Sequence, residues 1–105
     1  MLIERSRVLI FTIAAAILCS GMASGQDYPS KPIRIVTGSV GGGNDFTSRQ
    51  IAQGIAGALG QQVIVENRAS ALVAETVARA PADGYTLMVQ GGTVWLTPLL
   101  QKVNY

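Results

Sequence analysis

Short apolar runs alternate along the chain with segments of helical character, and this alternation is the feature that most constrains the fold. The predicted strands are residues 33–36, 63–65 and 85–89, and the predicted helices are residues 46–59, 72–79 and 94–101. The strands are nearly continuous apolar runs, which are typical of a parallel sheet covered by helices on both faces. We therefore predict an α/β fold of the form βαβαβ(α), built on a parallel sheet.

The first predicted helix, residues 46–59, carries one apolar stripe. Its members, spaced by one and three residues, are Ile51, Ala52, Ile55, Ala56 and Leu59. This spacing predicts a helix that buries a single face. Asn44 or Asp45 is the predicted N-cap of the helix. Gly60 is the predicted C′ residue, because glycine tolerates the left-handed conformation found there.

The order of the strands decides where a ligand would bind. Right-handed crossovers with the first strand in the centre give the predicted strand order 2-1-3. In such sheets ligands bind outside the carboxyl ends of the strands, where the winding reverses. The loops at that point, residues 41–45 and 91–93, are both rich in glycine, which allows a close approach of backbone to ligand. The first loop also opens a helix, whose free N–H groups favour an anion.

The residue composition excludes most catalytic chemistry. The chain has no histidine and a single cysteine, so the usual zinc sites, Ser-His-Asp triads and disulfide frameworks are excluded. The formal net charge of +2 is too small and too dispersed for a nucleic-acid partner. The glycine loops contain no nucleophile with a partnered base. We therefore expect a binding protein rather than an enzyme, with no cofactor and no metal.

The first 25 residues have the pattern of a cleavable signal peptide. Arg5 and Arg7 form a basic start, residues 8–18 are continuously apolar, and small residues follow. The apolar run has about half of the roughly 20 residues that a membrane-spanning helix needs. Cleavage is predicted after Gly25, with the position after Ala23 also acceptable. The chain is therefore predicted to be exported.

The glycine loop after the first strand is open to two further interpretations. A phosphate-binding P-loop requires a lysine directly after its last glycine, and here Gly43 is followed by Asn44 and Asp45. Gly41 and Gly43 match two glycines of the Rossmann fingerprint, but Phe46 stands at the third, while Glu66 stands where a ribose-binding acid would lie. A Rossmann-like dinucleotide-binding fragment is therefore an alternative. A purely structural turn, in which Asp45 only caps the helix, is another.

Five blocks of sequence, taken together, resemble one protein family. They are YPSKPIRIV at residues 28–36, GGGND at 41–45, ALGQ at 58–61, VENR at 65–68 and ARAPADGYTL at 78–87. In order and spacing this pattern resembles the substrate-binding proteins of tripartite tricarboxylate transporters, also called Bug-type receptors. The resemblance covers essentially the whole of residues 26–105.

The resemblance implies a periplasmic receptor with two α/β lobes that close around a small organic carboxylate and hand it to a separate membrane permease. It implies that backbone N–H groups of the first loop hold one ligand carboxylate and that the second loop lines the same cleft. The residues concerned are Gly42, Gly43, Asn44, Asp45 and Phe46 in the first loop and Gly91, Gly92 and Thr93 in the second. Thr93 is expected to contribute its hydroxyl.

This chain departs from the family pattern in length and in two loops. Members run to roughly 300 residues, about two ordinary domains. Residues 26–105 are therefore expected to be the first half of a periplasmic-binding-protein-like lobe, without the second lobe. Residues 37–40 lack the prolines common in the family, and residues 69–75 are shorter and poorer in glycine than their counterpart. A small exported interaction module and a non-functional truncated remnant are further alternatives.

Overall fold

The computed structural model of the chain describes residues 1–7 and 27–105. The apolar run of the predicted signal peptide and the predicted cleavage position after Gly25 lie outside the described residues. Within the two described stretches, no helix is both long enough and apolar enough to cross a membrane. The sheet and the helices that cover it lie between residues 33 and 100.

Strands and helices alternate from the first strand onward, as the sequence predicts. The elements are β1 (Ile33–Thr37), α1 (Gly43–Leu59), β2 (Val63–Asn67), α2 (Ser70–Ala78), β3 (Thr86–Val89) and α3 (Thr93–Leu100). The start of α1 lies three residues before the predicted start, and every other end falls within two residues of its predicted position. The predicted βαβαβ(α) pattern is therefore confirmed.

The three strands form one parallel sheet in the order β2-β1-β3. Ile33 pairs with Val63 in the register between β1 and β2, and Arg34 pairs with Thr86 in the register between β1 and β3. The predicted order 2-1-3 is therefore confirmed. Because all three strands are parallel, their carboxyl ends meet at a single edge of the sheet. We call this the carboxyl edge, and the opposite one the amino edge.

The core lies on the central strand. Ile33, Ile35 and Val36 are at most 2% exposed, because α1 and α2 both pack on β1. Right-handed crossovers place these two helices on opposite faces of the sheet. The helices contribute Val73 from α2, which is fully buried, and Ala52 from α1, which is nearly so. A strand covered on both faces has no need for alternating polar residues, which explains the apolar run of β1.

The buried face of α1 is rotated relative to the predicted stripe. Asp45, Ser48 and Ala52 are buried at helical spacing, and the Ser48 hydroxyl donates to the Asn44 carbonyl at 2.7 Å. Ile51 lies one residue, or about 100°, away from this line, and it is 39% exposed. The predicted stripe is therefore wrong at Ile51. Ile55, Ala56 and Leu59 are half-buried, and Ala52 is the one member of the stripe that is buried in the core.

Two glycines set the ends of α1. Gly42 is the N-cap residue, and no side chain caps the helix. The predicted N-cap, Asn44 or Asp45, is therefore wrong, because the Asp45 carboxylate reaches back to the Gly41 N–H at 2.9 Å instead of capping the helix. At the other end Gly60 adopts the left-handed conformation with a φ of 66° and donates its N–H to the last turn, as predicted.

The segment before β1 is tied to the amino edge of the sheet. The Tyr28 hydroxyl donates to the Gly84 carbonyl at 2.5 Å, and the Tyr85 hydroxyl accepts from the Ser30 N–H at 2.8 Å. The two tyrosine rings lie 4.9 Å apart. Gly84 has a φ of 81°, and a β-carbon there would lie 3.3 Å from the Tyr28 ring. These four residues, which we call the tyrosine clamp, hold the start of the fold at the edge opposite to the predicted ligand loops.

Candidate functional site

The carboxyl edge carries the loops that the sequence predicts to bind a ligand. The first is the glycine turn, residues 38–42, which joins β1 to α1, and the second is the β3–α3 turn, residues 90–92. Because β1 lies between β2 and β3, the winding of the chain reverses at this edge. Gly38 lies where the two turns meet α2: a β-carbon there would lie 3.1 Å from the Ser70 hydroxyl and 3.6 Å from the Gln90 side chain. A larger residue would therefore crowd the Ser70 hydroxyl at the start of α2, while the distance to Gln90 is an ordinary van der Waals contact.

Backbone N–H groups at the start of α1 face the carboxyl edge without partners. The N–H of Gly42 donates to the Ser39 carbonyl at 3.2 Å, and that of Phe46 donates to the Gly42 carbonyl at 3.0 Å, so both are used inside the protein. The three N–H groups between them, those of Gly43, Asn44 and Asp45, donate to no backbone or side-chain acceptor in residues 27–105, as expected for the first turn of a helix. We call these three groups the N–H cradle.

The side chain of Asp45 is turned into the protein. The residue is 4% exposed, and its carboxylate accepts from Asn67 Nδ2 at 2.8 Å, from the Gly41 N–H at 2.9 Å and from Arg49 Nε at 3.3 Å. The hydrogen bonds from Asn67, Gly41 and Arg49, in that order of importance, lower the pKa of Asp45 to about 2. Asp45 therefore serves the cradle through its backbone, while its carboxylate fixes the shape of the glycine turn.

Asn67, the last residue of β2, braces the same turn from outside the loop. Its amide nitrogen donates to the Gly38 carbonyl at 2.7 Å and to Asp45, and its amide oxygen accepts from Arg49 Nη2 at 3.2 Å. Neither Asn67 nor Arg49 is among the residues predicted for the site. The four-residue spacing of Asp45 and Arg49 on one helix is a signal for their ion pair, but nothing local points to Asn67.

Gln90 joins the two loops. Its amide nitrogen donates to the Ser70 carbonyl at 3.1 Å and to the Thr93 hydroxyl at 3.3 Å, and its amide oxygen accepts from Asn44 Nδ2 at 3.4 Å. One side chain therefore contacts α1, α2 and α3 at the carboxyl edge. Gln90 lies directly before the predicted loop 91–93 and is a further residue that the sequence does not single out.

The structure brings the two predicted loops together and leaves the Phe46 side chain exposed. Asn44 of the first loop lies beside the second, since a β-carbon on Gly91 would be 3.7 Å from the Asn44 amide nitrogen. Gly92 is the N-cap residue of α3 and Thr93 its first residue, so a second helix begins at this edge. The Phe46 side chain, by contrast, is 66% exposed. The two predicted loops are therefore neighbours, with Phe46 at their periphery.

Glu66, the acid on which the dinucleotide alternative depends, is engaged by two arginines. Its carboxylate lies 3.0 Å from Arg34 Nη1 and forms a second ion pair with Arg68. Arg34 donates to Oε2, whereas Oε1 is buried without a hydrogen-bond partner among the described residues, so the carboxylate is held by charge pairing and is not displayed to a ribose. Among residues 1–7 and 27–105, no group of three or more His, Cys, Asp or Glu side chains is placed to hold a metal ion.

A cavity of about 390 Å³ borders the second loop. It is lined by the start of α2, by α3 and by residues 101–105, and it includes Gln90 and Thr93. Glu75 and Lys102 add charged groups of opposite sign to its walls. This volume lies within the range of small-molecule sites, which is about 300–1,000 Å³. Of the predicted site residues only Thr93 lines it, so the cavity lies beside the N–H cradle and not over it.

The strand order defines an α/β fold of the doubly wound class, and the carboxyl edge contains the switch point at which such folds commonly bind ligands. The chain belongs to the tripartite tricarboxylate transporter family of receptors: the model of the family described as "Tripartite tricarboxylate transporter family receptor" matches residues 47–105. The resemblance seen in the sequence is therefore confirmed. The family is one of transport receptors and not of enzymes.

Several known proteins are similar to this chain over part of their length. A UPF0065 protein of Bordetella pertussis is 42% identical over 83 residues, which are 75% of this chain and 26% of that protein. Protein BugT of the same organism is 36% identical over 92 residues, covering 81% of this chain and 28% of BugT. One chain of a solved structure, described as that of a periplasmic transporter, is 43% identical with a TM-score of 0.55, over 58% of this chain and 22% of the other. The chain thus spans roughly a quarter of the length of these relatives.

Proposed function

We propose that this chain recognises a small organic carboxylate at its carboxyl edge, as part of a receptor that delivers the ligand to the membrane permease of a tripartite tricarboxylate-type transporter. The observation that carries the proposal is the N–H cradle of Gly43, Asn44 and Asp45, which has no acceptor among residues 27–105. Membership of a transport receptor family supports the role in uptake.

A carboxylate suits the cradle for reasons of charge and geometry. The aligned peptide dipoles of the 17-residue helix α1 give its start a partial positive charge, and the free N–H groups point along the helix axis toward a ligand. The nearby carboxylate of Asp45 would repel an anion if it faced the same way. It is instead buried against Asn67 and paired with Arg49, so its charge is offset within the protein.

The second loop adds a side-chain donor. The Thr93 hydroxyl accepts a hydrogen bond from Gln90 Nε2 at 3.3 Å. An oxygen that accepts from a neighbour keeps its own proton free, so we propose that Thr93 donates to the ligand, with Gly91 and Gly92 allowing the ligand to approach the backbone. The network around Gln90 would then set the distance between Thr93 and the cradle.

The carboxyl edge alone provides weak binding. An anion at a helix N-terminus gains about 0.3–2 kcal/mol, whereas a Kd of 1 mM already corresponds to about 4 kcal/mol. We therefore propose that residues 26–105 are part of an N-terminal lobe and that a second lobe closes over the ligand in the longer relatives. This chain by itself is expected to bind carboxylates with a millimolar Kd or more weakly.

We place this function in the periplasm. The basic start and the apolar run of residues 8–18 support export by a signal peptide that is cleaved after Gly25. The description of the solved relative as a periplasmic transporter supports the same location.

Removal of one N–H group from the cradle tests the proposal. Gly43 is the first residue of α1, a position at which proline is favoured, because its missing N–H has no helical partner there. Gly42 before it has a φ of −77° and a ψ of 169°, which is the extended conformation required before proline. A β-carbon on Gly43 would meet no heavy atom within 4 Å. Gly43→Pro therefore removes a donor and leaves the helix intact, and Gly43→Ala is the matched control.

The measurement is an NMR titration of the ¹⁵N-labelled chain with acetate, glutamate and citrate. The amide signals of Asn44 and Asp45 are expected to shift in the parent and in Gly43→Ala, with at least a several-fold weaker Kd in Gly43→Pro. Absence of a shift with every acid would contradict the proposal, as would equal affinity of the two variants. A shift of the same amides with NAD instead of the acids would favour the dinucleotide alternative.

A further inference from the structure

The turn that leads into β3 contains an aspartate followed by a glycine, Asp83 and Gly84. Such a pair can rearrange without any cofactor. The main-chain nitrogen of the glycine bonds to the side-chain carboxyl carbon of the aspartate, and the carboxyl hydroxyl leaves as water with the proton of that nitrogen. Water then opens the resulting succinimide ring at the main-chain carbonyl, which leaves an isoaspartate. Asp83 is the one aspartate of the chain that precedes a glycine.

The attacking nitrogen is accessible in the folded chain. The Asp83 side chain is 41% exposed, and Gly84 is exposed as well. Within residues 27–105 the Gly84 N–H donates to no backbone or side-chain acceptor. Glycine also leaves its nitrogen unhindered, because it has no side chain. This nitrogen is therefore neither buried nor held by a hydrogen bond to the described part of the protein.

The aspartate carboxylate and the glycine carbonyl, by contrast, are both held in place. Asp83 Oδ1 accepts from the Tyr85 N–H at 3.0 Å, and Oδ2 lies 3.8 Å from Lys31 Nζ. The Gly84 carbonyl accepts from the Tyr28 hydroxyl at 2.5 Å. Ring closure brings the carboxyl carbon onto the Gly84 nitrogen, so these contacts must open first. A reaction that requires local opening is slowed in the folded state.

We propose that Asp83 is a site of spontaneous isoaspartate formation and that the tyrosine clamp controls the rate of this modification. Isomerisation adds one carbon atom to the main chain between the Asp83 α-carbon and Gly84, which displaces the Gly84 carbonyl from the Tyr28 hydroxyl. The next residue, Tyr85, is displaced with it, and its hydroxyl holds the Ser30 N–H at 2.8 Å. The modified chain therefore loses the contacts that tie residues 28–30 to the sheet. The clamp delays the reaction, and the completed reaction opens the clamp.

The rate of isomerisation of the whole chain at pH 7 tests the proposal. Samples are digested at intervals, and the peptide that contains residue 83 is isolated by chromatography. Isoaspartate has the same mass as aspartate, but its peptide is retained differently. We expect isoaspartate to form at least about tenfold faster in urea that unfolds the chain than in the folded chain, because the contacts to Lys31, Tyr28 and Tyr85 are then all released.

A pair of tyrosine variants separates the clamp from overall stability. Tyr28→Phe keeps the ring and removes one hydrogen bond, so it should raise the rate in the folded chain about two- to tenfold. Tyr105→Phe is the matched control, because it removes a tyrosine hydroxyl that donates to the Val94 carbonyl at 3.3 Å. This control should isomerise at the rate of the parent. The isolated isomerised chain should unfold at a lower temperature than the parent.

Each other outcome overturns the proposal. Absence of isoaspartate even in urea would show that residue 83 is not a modification site. Equal rates in the folded and unfolded chains, or in the parent and Tyr28→Phe, would show that the clamp gives no protection. Equal acceleration in the two phenylalanine variants would assign the effect to a general loss of stability. An isomerised chain as stable as the parent would contradict the opening of the clamp.

Discussion

The side-chain amide of Asn67 and the carboxylate of Asp45, which are 22 residues apart in sequence, meet at 2.8 Å and tie the end of β2 to the first turn of α1. The same amide nitrogen donates to the Gly38 carbonyl at 2.7 Å. One side chain therefore holds the glycine turn at its start and at its end. The shape of the N–H cradle therefore depends on a residue that lies outside the loop.

Replacement of Asn67 by alanine is expected to destabilise the fold. It removes the Asn67 donor from both the Gly38 carbonyl and the Asp45 carboxylate, and a buried group left unpaired costs about 1–3 kcal/mol. We expect a loss of that size in the free energy of unfolding, measured with urea at pH 7. Gln53→Ala, at an exposed glutamine on α1, is the control. A loss of less than about 0.5 kcal/mol, typical of surface substitutions, would show that Asn67 does not brace the turn.

The free energy of unfolding is expected to fall in acid, over the pH range in which the Asp45 carboxylate becomes protonated. Its pKa is about 2 in the folded chain, against 3.8 without the fold. The ionised carboxylate therefore stabilises the fold above about pH 4, and this contribution is lost as the pH falls toward 2. Asp45→Asn should be less stable at pH 7 and should lose less stability than the parent between pH 4 and 2.

The control for this pH profile is Asp27→Asn, at an exposed carboxylate outside the Asp45 network. That variant should keep the acid dependence of the parent. Identical slopes for the parent and Asp45→Asn in unfolding curves collected between pH 2 and 5 would assign the acid sensitivity to other groups.

Loss of Gln90 is expected to weaken ligand binding as well as the fold. The side chain spans Asn44, Ser70 and Thr93 and so holds the two loops together. Gln90→Ala removes these hydrogen bonds, each contributing about 0.5–1.5 kcal/mol, and should raise the Kd for a carboxylate about two- to tenfold. Gln62→Ala, at an exposed glutamine before β2, should bind like the parent. Unchanged affinity of Gln90→Ala in the NMR titration would disprove its role in spacing the loops.

Two Gly→Ala substitutions should change stability in opposite directions. Gly84 has a φ of 81°, and a β-carbon there would lie 3.3 Å from Tyr28, so Gly84→Ala should cost about 1–2 kcal/mol. Gly54 lies inside α1, where an added β-carbon would meet no heavy atom within 4 Å, so Gly54→Ala should stabilise by about 0.5–1 kcal/mol. Thermal unfolding of both variants checks the pair. A stable Gly84→Ala would show that the tyrosine clamp does not constrain this turn.

The fold follows from local patterns in the sequence to a large extent. The apolar runs mark the strands, the glycine at position 60 ends α1, and the right-handed crossover rule gives the order β2-β1-β3. The predicted start of α1 falls too late because capping preferences favour Asn44 or Asp45. In the structure the positive φ of Gly41 lets the chain turn earlier, and the Asp45 carboxylate folds back onto that turn.

The candidate site is predictable only where its parts are contiguous in sequence. The two glycine loops can be recognised because each follows a strand at the carboxyl edge. Asn67 and Gln90 cannot be recognised in that way, because their partners Asp45 and Asn44 are 22 and 46 residues away. Such contacts arise from strand register and helix placement, which no local pattern of residues encodes.

The tyrosine clamp also determines how this protein can be attached to a surface. It fixes Tyr28 at the amino edge, one strand length or about 16 Å from the carboxyl edge. A support linked just before Tyr28 therefore leaves the N–H cradle open to the solution. Residues 101–105 line the cavity beside the second loop, so a linker attached within this segment would crowd the cavity. The choice of tether decides whether an immobilised sample presents its ligand loops or hides them.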